Sequence, residues 1–595
     1  MCGILGSTNT NDALSISLDT LKKRGPDASS LWSDERVSLG HARLSIIDLD
    51  SRANQPMWND DRTVVIVFNG EIYNFKQLRE ELSTDYVFKT ESDTEVLISG
   101  YLKYGPSFVE RLEGMFAYAI YDIPKGMLYL FRDTAGVKPL LYHLDHGMLL
   151  FASEMKAITT ALGARGTELE LDRESADLYL TFGYVPSPRT LYKQIRKIPR
   201  GSYLTYSFAS RLTEIQPFTP KVRDIDTETS LGEEINKSIV SSTLADVPVG
   251  IFFSGGTDSS ILAAVLNAND LHLETFSIRI HGRPADSEYF TRTSTALGIR
   301  AHVYDFTQEE FEESYLSVLD AIDEPLADNS LFPTYFVARK AAEKVKVVLS
   351  GEGGDENFFG YERQRTMRKM RNHTDGGMTI LDYIFITFPH IKGKRFLFSR
   401  LFSWARQPFS YYLLTMALDA AISTTSSWAR AKSLLATQAA DPLYIDRDLY
   451  LESDLLHKTD VATSMNSIEG RVPLLGQSLI TNAPAFEDAY LSSEEMKPVL
   501  KRFLTRYLTS DLVYRKKTGF GLHLPDFLEK SLAFLEDQKE ARSYLKKHGV
   551  STHSRVAQPS YELGLVILAR TIMNNRRSWE TGRAFSTGAA KAPPQ

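Results

Sequence analysis

Short apolar runs separated by turn residues dominate the first 200 residues of the chain. The run at 64–68 (VVIVF) is rich in β-branched residues and is followed by Asn69-Gly70, so it predicts a buried strand and a tight turn. Similar runs at 115–121, 127–131 and 148–152 predict further strands. Little helical periodicity is visible between these runs. This half of the chain is therefore predicted to be mainly β-sheet.

From about residue 232 the pattern changes to strands that alternate with helices, which is typical of a parallel sheet with crossover helices. The apolar runs at 247–253, 275–280 and 345–349 predict three strands. The first and third of these strands end in polar, glycine-rich loops. Because ligands bind beyond the carboxyl ends of parallel strands, both loops are expected to face one crevice. Residues 365–580 are predicted to be mainly helical.

These patterns divide the chain into two domains. Prolines are frequent between residues 186 and 199, and the polar stretch that follows has no apolar face. We therefore expect a first domain over 1–205, a linker over 206–231 and a second domain over 232–580. The remaining segment, 581–595, is poor in bulky apolar residues and is predicted to be a disordered tail.

Composition and charge exclude several functional classes. The 595 residues include 68 Lys+Arg and 75 Asp+Glu, which gives a formal net charge of −7 and no global basic field for nucleic acid. No apolar run reaches the roughly 18 residues that a membrane-spanning helix needs, and no basic and apolar leader opens the chain. We expect a soluble, cytoplasmic protein with no nucleic-acid partner. The 12 histidines show no spacing typical of a metal site.

The only cysteine of the chain is Cys2, which excludes an intramolecular disulfide and a multi-cysteine metal site. Removal of Met1 would place a thiol and a free α-amine on one residue, and an amine with an ordinary pKa of about 8 can carry the thiol proton. Attack on an amide creates an oxyanion that needs hydrogen-bond donors, and Asn69 with Gly70 are candidates. Two plainer interpretations stay open: an incidental terminal thiol, and an Asn-Gly pair that only makes a turn.

The loop after the first strand of the second half reads SGGTDSS over residues 254–260. This loop could bind phosphate through its glycine amides, its hydroxyl groups and the N-terminus of the helix that follows. The same sequence is also consistent with a plain turn that begins a helix. No lysine follows as it does in GxxxxGK(S/T), so a kinase is disfavoured. The second loop contains Asp355, whose carboxylate could bind Mg²⁺ together with that of Asp258. It also contains Glu352, which is placed to take a proton from ammonia. Isolated acids in such loops also serve as turn formers.

Ordered segments along the chain resemble those of one enzyme family. They are MCGI at 1–4, RGPD at 24–27, HARLSIID at 41–48, NGEIYN at 69–74, SDTE at 92–95, SGGTDSS at 254–260, DEPLAD at 323–328, SGEGGDE at 350–356, KTD at 458–460, SIEGRVP at 467–473 and RKKTGF at 515–520. Together they resemble glutamine-dependent asparagine synthetases, in which a class II, N-terminal-nucleophile glutamine amidotransferase is fused to an ATP-pyrophosphatase synthetase domain. The resemblance covers residues 1 to about 530. It implies an α/β and α+β fold class, with an N-terminal αββα sandwich and a C-terminal parallel-sheet domain that has a helical extension.

The resemblance implies a glutaminase site in the first domain. In that site Cys2 attacks the side-chain amide of glutamine, and Asn69 and Gly70 form the oxyanion hole. The glutamine-binding residues that the resemblance implies are Arg43 for the α-carboxylate, Asp93 for the α-ammonium and Glu71 beside them. A guanidinium suits a carboxylate and a carboxylate suits an ammonium, so these roles are physically consistent.

The resemblance implies an ATP site in the second domain. Its catalytic residues are Glu352 and Lys497, and its Mg²⁺ ligands are Asp258 and Asp355. The residues implied to contact ATP are Phe252, Ser254, Gly255, Gly256, Asp258, Ser259, Ser260, Ile278, Ser350 and Gly351. The cofactors expected on this basis are ATP and Mg²⁺.

The implied function is an ATP-dependent amidotransferase, in which ammonia from glutamine attacks a carboxylate activated as an acyl-AMP. Aspartate is the favoured acceptor, and asparagine, AMP and pyrophosphate are the expected products. One departure concerns the acceptor, because RVP is followed by Leu474-Leu475-Gly476 where the family usually has F-L-D. A sugar, peptide or natural-product carboxylate is therefore an alternative acceptor, and a catalytically silent scaffold or regulator is a second alternative function. A homodimer is left open.

The stretch 384–404 mixes aromatic residues with lysine and arginine, which suits a membrane surface or a partner. Pro389 interrupts the stretch. We expect it to pack as ordinary helices.

Overall fold

The structure is a computed structural model that describes residues 1–9, 13–280, 284–388, 394–418, 425–439, 441–514, 524–550, 552 and 559–587. A sheet-rich first domain is followed by a second domain built on a parallel sheet. Within the described ranges no helix is long and apolar enough to cross a membrane.

Two six-stranded antiparallel sheets form the first domain. Its strands are β1 (Gly3–Ser7), β2 (Ala28–Ser33), β3 (Ser38–Arg43), β4 (Met57–Trp58), β5 (Val64–Ile72), β6 (Gly114–Asp122), β7 (Met127–Arg132), β8 (Leu141–Asp145), β9 (Met148–Ala152), β10 (Ile195–Lys197), β11 (Ser202–Ser207) and β12 (Thr213–Pro217). The strand order is β10-β8-β9-β1-β3-β2 in one sheet and β12-β11-β7-β6-β5-β4 in the other.

Helices cover the outer faces of this sheet pair and complete the predicted αββα sandwich. They are α1 (Leu14–Asp19), α2 (Phe75–Leu82), α3 (Asp93–Tyr104), α4 (Met155–Arg165) and α5 (Arg173–Phe182). Helices α2 and α3 pack on the β5 side, and α1 and α4 pack on the β1 side. The weak helical periodicity has a physical reason in α3. This helix is buried continuously from Asp93 to Tyr101, so it has no polar face to produce a 3.6-residue period.

Strand β5 shows why the two sheets stack. Val65 and Val67 point into the apolar layer between the sheets, whereas Phe68 points to the layer under α2 and α3. The sequence of a strand that is buried on both faces is a continuous apolar run, as it is in β5. The tight turn predicted at Asn69-Gly70 is wrong, because β5 continues through both residues in pairing with β6.

Five parallel strands form the sheet of the second domain in the order β15-β14-β13-β16-β17. Their bounds are β13 (Val249–Phe252), β14 (Glu274–Ile280), β15 (Ala301–Phe306), β16 (Val347–Leu349) and β17 (Glu469–Arg471). The chain runs outward from β13 to β15 and then returns to β16 on the other side of β13. Parallel sheets bind ligands at such a reversal, beyond the carboxyl ends of the strands. The two glycine-rich loops follow β13 and β16, so they face one crevice as predicted.

Helices surround this sheet and fill most of the second half of the chain. They are α6 (Glu228–Ser241), α7 (Thr257–Ala268), α8 (Pro284–Ala296), α9 (Gln308–Ala321), α10 (Leu331–Ala342), α11 (Gly354–Asn357), α12 (Glu362–Arg368), α13 (Ile380–Thr387), α14 (Lys394–Trp404), α15 (Pro408–Met416), α16 (Thr425–Gln438), α17 (His457–Ser464), α18 (Gln477–Asn482), α19 (Glu487–Leu491), α20 (Pro498–Leu504), α21 (Ser510–Val513), α22 (Leu524–Leu528), α23 (Leu532–Lys547) and α24 (Pro559–Ser586). A π-helical segment, Asp446–Leu456, leads directly into α17.

The first domain extends beyond residue 205, its predicted end. Strand β12 pairs with β11 at the edge of the second sheet. The predicted linker over 206–231 therefore contains a strand, and it also contains the start of α6 with Thr227 as N-cap. Three of the five residues of β12 are exposed, so this edge strand has none of the apolar content by which a buried strand is recognised.

Helix α24 returns from the second domain and packs along α4 of the first. Two glycines permit the close approach: a Cβ added at Gly163 would lie 1.9 Å from Trp579 O, and one added at Gly582 would lie 1.9 Å from Thr160 O. Because this contact holds the end of α24, the helix reaches Ser586 and the disorder predicted from residue 581 is wrong for its first part. Residues 588–595 lie outside the described part of the chain.

Candidate active sites

Cys2 lies just before β1 and packs against an apolar cluster that includes residues of both domains. Its Sγ donates a hydrogen bond to Leu44 O at 3.7 Å. Met1 precedes it, so the nitrogen of Cys2 is a peptide nitrogen in this chain. Burial raises the pKa of the Cys2 thiol and lowers the pKa of the Met1 α-amine to about 5. A thiol in these surroundings needs a base before it can attack a carbonyl.

Asn69 and Gly70 have the properties of an anion-binding pair. The Asn69 amide is fully buried, and within the described chain neither its Nδ2 nor its Oδ1 has a hydrogen-bond partner. Such an arrangement costs about 1–3 kcal/mol and leaves a donor ready for a ligand oxygen. Gly70 has a φ of 153°, and a Cβ added there would lie 2.1 Å from Met115 O. Only glycine fits this position beside β6.

Arg43 holds a loop of the first domain in place. One Nη donates to Asp50 O at 2.9 Å and to Asn54 Oδ1 at 2.7 Å, and the other donates to Asp48 O at 2.5 Å. The guanidinium is buried with its charge, at the carboxyl end of β3. The second Nη also donates to Ile47 O at 3.4 Å, so both Nη groups are occupied by the loop and the guanidinium would meet a carboxylate through its Nε–H and its charge.

Asp93 and Glu71 are both buried acids. Asp93 begins α3 and accepts a hydrogen bond from Ile72 N at 3.0 Å. Burial raises the pKa of Asp93 to about 6. Burial, together with the neighbouring Asp93, also raises the pKa of Glu71, although Glu71 Oε2 lies 2.7 Å from Nη2 of Arg471 in the second domain. Glu71 therefore stands where the predicted glutamine site meets the second domain.

The two glycine-rich loops of the second domain touch one another. After β13, Ser259 Oγ accepts from Ser254 N at 3.2 Å and Ser254 Oγ accepts from Gly256 N at 3.3 Å. A Cβ added at Gly351 in the second loop would lie 2.8 Å from the Asp258 Cβ. These small residues bring backbone amides, hydroxyls and the N-terminus of α7 together, which is the arrangement that binds phosphate groups.

Asp258, Asp355 and Lys497 form one cluster, in which Lys497 is buried and both aspartates are half-buried, although 239 residues separate Asp258 from Lys497. Lys497 Nζ lies 2.5 Å from Asp258 Oδ2 and 2.7 Å from Asp355 Oδ1. Burial lowers the pKa of Lys497, but the two carboxylates more than offset this effect and raise it above its ordinary value. Lys497 also has a left-handed φ of 52°, which is uncommon for a non-glycine residue and is typical of functional sites.

Gly360 permits this cluster to form, and the sequence gives no sign of it. A Cβ added there would lie 1.9 Å from Asp355 Oδ1 and 2.2 Å from Lys497 Cε. The backbone of Gly360 therefore occupies the space beside both charged groups. Its position in a plain FFGY segment carries no recognisable chemistry.

Glu352 forms an ion pair with Lys458 of the KTD motif, a residue to which the sequence assigns no role. Lys458 Nζ lies 3.0 Å from Glu352 Oε1 and 3.4 Å from Asp328 Oδ2. Burial lowers the pKa of Lys458, but Glu352 and Asp328 outweigh it and raise the pKa. Asp454, which is also buried, lies near the same lysine. The KTD and DEPLAD segments thus meet at Glu352.

The other predicted ATP residues lie around the same crevice. Phe252 ends β13 and Ile278 lies in the neighbouring β14, and both are partly buried. Ser350 follows β16, and its Oγ accepts from Glu352 N at 3.4 Å. Ser260 lies in the first turn of α7 and is buried. All of these residues are therefore within or next to the two loops.

Buried ion pairs connect the two domains beside both sites. Arg24 donates to both carboxylate oxygens of Asp460 at 2.8 Å, and its Nε donates to Cys2 O at 2.9 Å. Arg471 joins Glu71 to Glu469. The RGPD and KTD motifs contain two of these partners, but a pairing across 436 residues has no local signal in the sequence.

A small cavity of about 20 Å³ lies between the domains. Its lining includes Tyr73 and Met115 from the first domain and Val472 and Gly476 from the second. Gly476, where the family usually has an acid, packs closely on α6, because a Cβ added there would lie 2.5 Å from Ser238 Oγ. The RKKTGF motif at 515–520 lies outside the described residues.

Comparison with known proteins agrees with this two-part architecture. The glutamine amidotransferase domain family matches residues 1–218, and the asparagine synthase family matches residues 230–560. Glutamine-hydrolysing asparagine synthetase 1 of Bacillus subtilis (strain 168) is 31% identical over 568 residues, covering 89% of this chain and 88% of the relative. Asparagine synthetase 3 of the same organism is 27% identical, covering 91% of both chains. Asparagine synthetase B of Escherichia coli (strain K12) is 33% identical over 61% of this chain and 65% of its own length.

The fold and the matched domains define a glutamine amidotransferase of the N-terminal-nucleophile type joined to a synthetase, an enzyme that forms carbon–nitrogen bonds. Within that class, the chain belongs to the family of glutamine-hydrolysing asparagine synthetases. ATP is the nucleotide that this family uses.

Proposed function

We propose that the protein transfers the amide nitrogen of glutamine to a carboxylate activated by ATP, and that aspartate is the acceptor. The cluster of Asp258, Asp355 and Lys497 in the crevice between β13 and β16 carries this proposal. It unites the residues predicted for pyrophosphate, metal and transition state in one place. In the first domain, the unpartnered amide of Asn69 supports the glutaminase half of the reaction.

In the glutaminase half, the Cys2 thiolate attacks the side-chain amide carbon of glutamine. Once Met1 is removed, the α-amine of Cys2 takes the thiol proton and then passes it to the leaving nitrogen. The Asn69 amide and the Gly70 N–H donate to the oxyanion. The carbon–nitrogen bond breaks, ammonia leaves, and water hydrolyses the thioester to glutamate.

Glutamine is held through its α-carboxylate and α-ammonium. Arg43 pairs with the carboxylate, and Asp93 pairs with the ammonium with Glu71 beside it. The buried position of all three residues supports these roles, because charged groups removed from water bind a charged ligand strongly when the charges are complementary.

In the synthetase half, an oxygen of the acceptor carboxylate attacks the α-phosphorus of ATP, and pyrophosphate leaves. Ser254, Gly255, Gly256, Ser259, Ser260, Ser350 and Gly351 surround the phosphates, and Phe252 and Ile278 contact the adenosine. Asp258 and Asp355 fit Mg²⁺, because both carboxylates reach a single ammonium and are therefore close enough to face one cation. When bound, Mg²⁺ neutralises charge on the pyrophosphate. Lys497 contributes a further positive charge at the same place.

Ammonia then completes the reaction at the activated carbon. It attacks the acyl carbon, AMP leaves, and Glu352 takes the proton. The Lys458 ammonium, 3.0 Å away, holds the Glu352 carboxylate in place. We propose that this ammonia comes through the interior from the first domain, because Glu71 of the glutamine site is ion-paired with Arg471 of the second domain.

The polar groups near Glu352 support aspartate as the proposed acceptor. Asp328 is half-buried and Asp454 is buried, both lie near Lys458, and acidic side chains in this position suit an α-ammonium. Buried groups of this kind reject a substrate that leaves them unpaired by roughly 10⁴-fold or more. A small amino acid such as aspartate fits these surroundings better than a sugar acid. Gly476 is the residue that favours a larger acid, because the usual acid is absent there.

Pyrophosphate release tests the acceptor. With ATP, Mg²⁺ and ammonium, we expect aspartate to stimulate pyrophosphate release and to yield asparagine, whereas succinate, which lacks the α-ammonium, stays at background. A panel of sugar acids, peptides and larger natural acids is measured in parallel. If only a larger acid stimulates release, the acceptor assignment moves to that acid. If no acid does so although glutamine is hydrolysed, the catalytically silent alternative gains support for the synthetase domain.

Glutamine binding is expected to weaken below pH 6. Burial raises the pKa of Asp93 to about 6, and the protonated acid carries no charge for the glutamine ammonium. The KM for glutamine should therefore rise roughly tenfold for each pH unit below that value, while kcat changes less. Asp93→Asn should show a high KM at every pH and lose this dependence. A variant that keeps the wild-type KM and pH profile would remove Asp93 from the binding site.

A further inference from the structure

Helices α13 and α14 carry two apolar stripes each. The inner stripes include Phe385 of α13 with Phe398 and Phe402 of α14. Phe385 and Phe402 pack on buried Trp428, and Phe398 packs on both of these phenylalanines. A surface helix of a globular protein needs only one apolar stripe to pack on the core, and the inner stripe serves this purpose. The expectation that the 384–404 stretch packs as ordinary helices is thus met on the inner side only. Pro389 lies outside the described residues.

The outer stripes face away from that core and are exposed. On α13 and just after it they consist of Ile380, Tyr383, Ile384 and Phe388, and on α14 of Phe396, Leu397 and Trp404. The most exposed are Trp404 at 84%, Ile380 at 80% and Phe396 at 69%. On α13 and just after it, spacings of three, four and eight residues from Ile380 place the set along one line of the helix, and on α14 Trp404 lies eight residues after Phe396, with Leu397 next to Phe396. Exposed apolar residues grouped in this way mark a site of interaction.

The charges around the outer stripes have one sign. Residues 380–407 contain five lysines and arginines and a single acid, Asp382, in a chain with a net charge of −7. Arg395, Arg400 and Arg406 are exposed, and the Arg400 guanidinium lies 5.3 Å from the centre of the Phe396 ring. Asp382 is fully buried, where it accepts hydrogen bonds from Trp428 and pairs with Lys432. Within the described residues of α13 and α14, this outer surface is therefore apolar and cationic and has no exposed carboxylate.

We propose that this outer face of α13 and α14 docks the enzyme on an anionic lipid surface. Helices that lie in a membrane interface combine aromatic and aliphatic residues with lysine and arginine, as this face does. A two-fold contact between copies of the chain would set the same arginines against each other with no acid to offset them. Aromatic residues with arginine also occur at protein interfaces, so an acidic polypeptide is the alternative occupant that the experiment must distinguish.

Vesicle flotation of the full chain tests the proposal. The probes are vesicles of phosphatidylcholine alone and vesicles of phosphatidylcholine mixed equally with phosphatidylglycerol. We expect binding to the mixed vesicles only, and we expect binding to fall as salt is raised, because salt screens the arginines. Each arginine near an anionic surface is worth about a fivefold change in binding.

Two double variants separate the apolar and charged contributions. Phe396→Ser with Trp404→Ser, and Arg400→Gln with Arg406→Gln, should each lower vesicle binding at least about tenfold. These side chains are exposed, and glutaminase turnover and thermal unfolding report whether the fold is kept. The matched control is Val87→Ser with Leu212→Ser, which removes apolar residues of 78% and 70% exposure from the first domain.

Several outcomes would overturn the proposal. One is absence of binding to either vesicle by the wild-type protein, and another is equal binding to both. Equal loss in the control variant would show that any exposed apolar side chain matters. A wild-type dimer that becomes monomeric in the Phe396 and Trp404 variant, without vesicle binding, would assign this face to a second copy instead. Capture by an acidic polypeptide in place of vesicles would assign it to a protein partner.

Discussion

Cys2→Ala should abolish glutamine-dependent synthesis and leave ammonium-dependent synthesis near the wild-type rate. The proposed nucleophile lies before β1 in the first domain, whereas the phosphate loops follow β13 and β16 in the second. Loss of the thiol removes the covalent step that releases ammonia, and no other cysteine can replace it. Product formation is measured with glutamine and with an ammonium salt as separate nitrogen donors. An N-terminal tag that prevents removal of Met1 should have the same effect as the substitution.

The control for this variant is a test that its fold is kept. Cys2 packs against an apolar cluster shared by the domains, and alanine keeps the apolar contact of its Cβ. We therefore expect thermal unfolding close to wild type. Loss of the ammonium-dependent reaction in a well-folded Cys2→Ala protein would show that the thiol serves more than ammonia supply.

Asp258→Asn should remove synthesis with either nitrogen donor while glutamine hydrolysis continues. The substitution deletes one of the two charges that face Lys497 and the proposed Mg²⁺. Several kcal/mol of charge stabilisation during pyrophosphate release would be lost, which corresponds to a fall in AMP formation of at least about a hundredfold. AMP and glutamate are measured in the same reaction, so one sample reports both half-reactions.

A matched substitution separates the site from general charge loss. Asp320→Asn removes an exposed acid of the same domain, at the end of α9, and should leave both half-reactions unchanged. If Asp258→Asn still forms AMP at a rate near wild type, the loop after β13 does not hold the pyrophosphate. If Asp258→Asn loses glutamine hydrolysis as well, the two domains are coupled through this cluster.

Much of the fold could be predicted because its signals are local. The strands β6, β7, β9, β13, β14 and β16 are apolar runs of ordinary length, and the loops after β13 and β16 are recognisable by glycine and acidic residues. Asn69-Gly70 was interpreted as a turn because the pair is common in turns. It lies instead inside β5, since β6 passes so close that only glycine fits. That reason is tertiary and leaves no mark on the neighbouring sequence.

The candidate sites also contain one part that the sequence predicts and another part that it does not. The motifs predict that Asp258 and Asp355 act together and identify Lys497 separately, and the structure brings all three within one cluster. The partners of buried charges could not be predicted. Arg24 with Asp460 joins segments that are far apart in sequence, and each partner is tolerated in the interior only because the other is present. Gly360 acts through the space it leaves, and no property of its own sequence indicates this.

Isotope transfer tests the central claim most directly. The wild-type protein is supplied with glutamine labelled with ¹⁵N in its side-chain amide, together with ATP, Mg²⁺, aspartate and an excess of unlabelled ammonium at a pH where both donors are used. If ammonia passes from Cys2 to the acyl-AMP inside the protein, the asparagine formed should carry far more ¹⁵N than the free ammonium pool, with one AMP per asparagine. Asparagine whose label equals that of the pool, or product without AMP, would contradict the account.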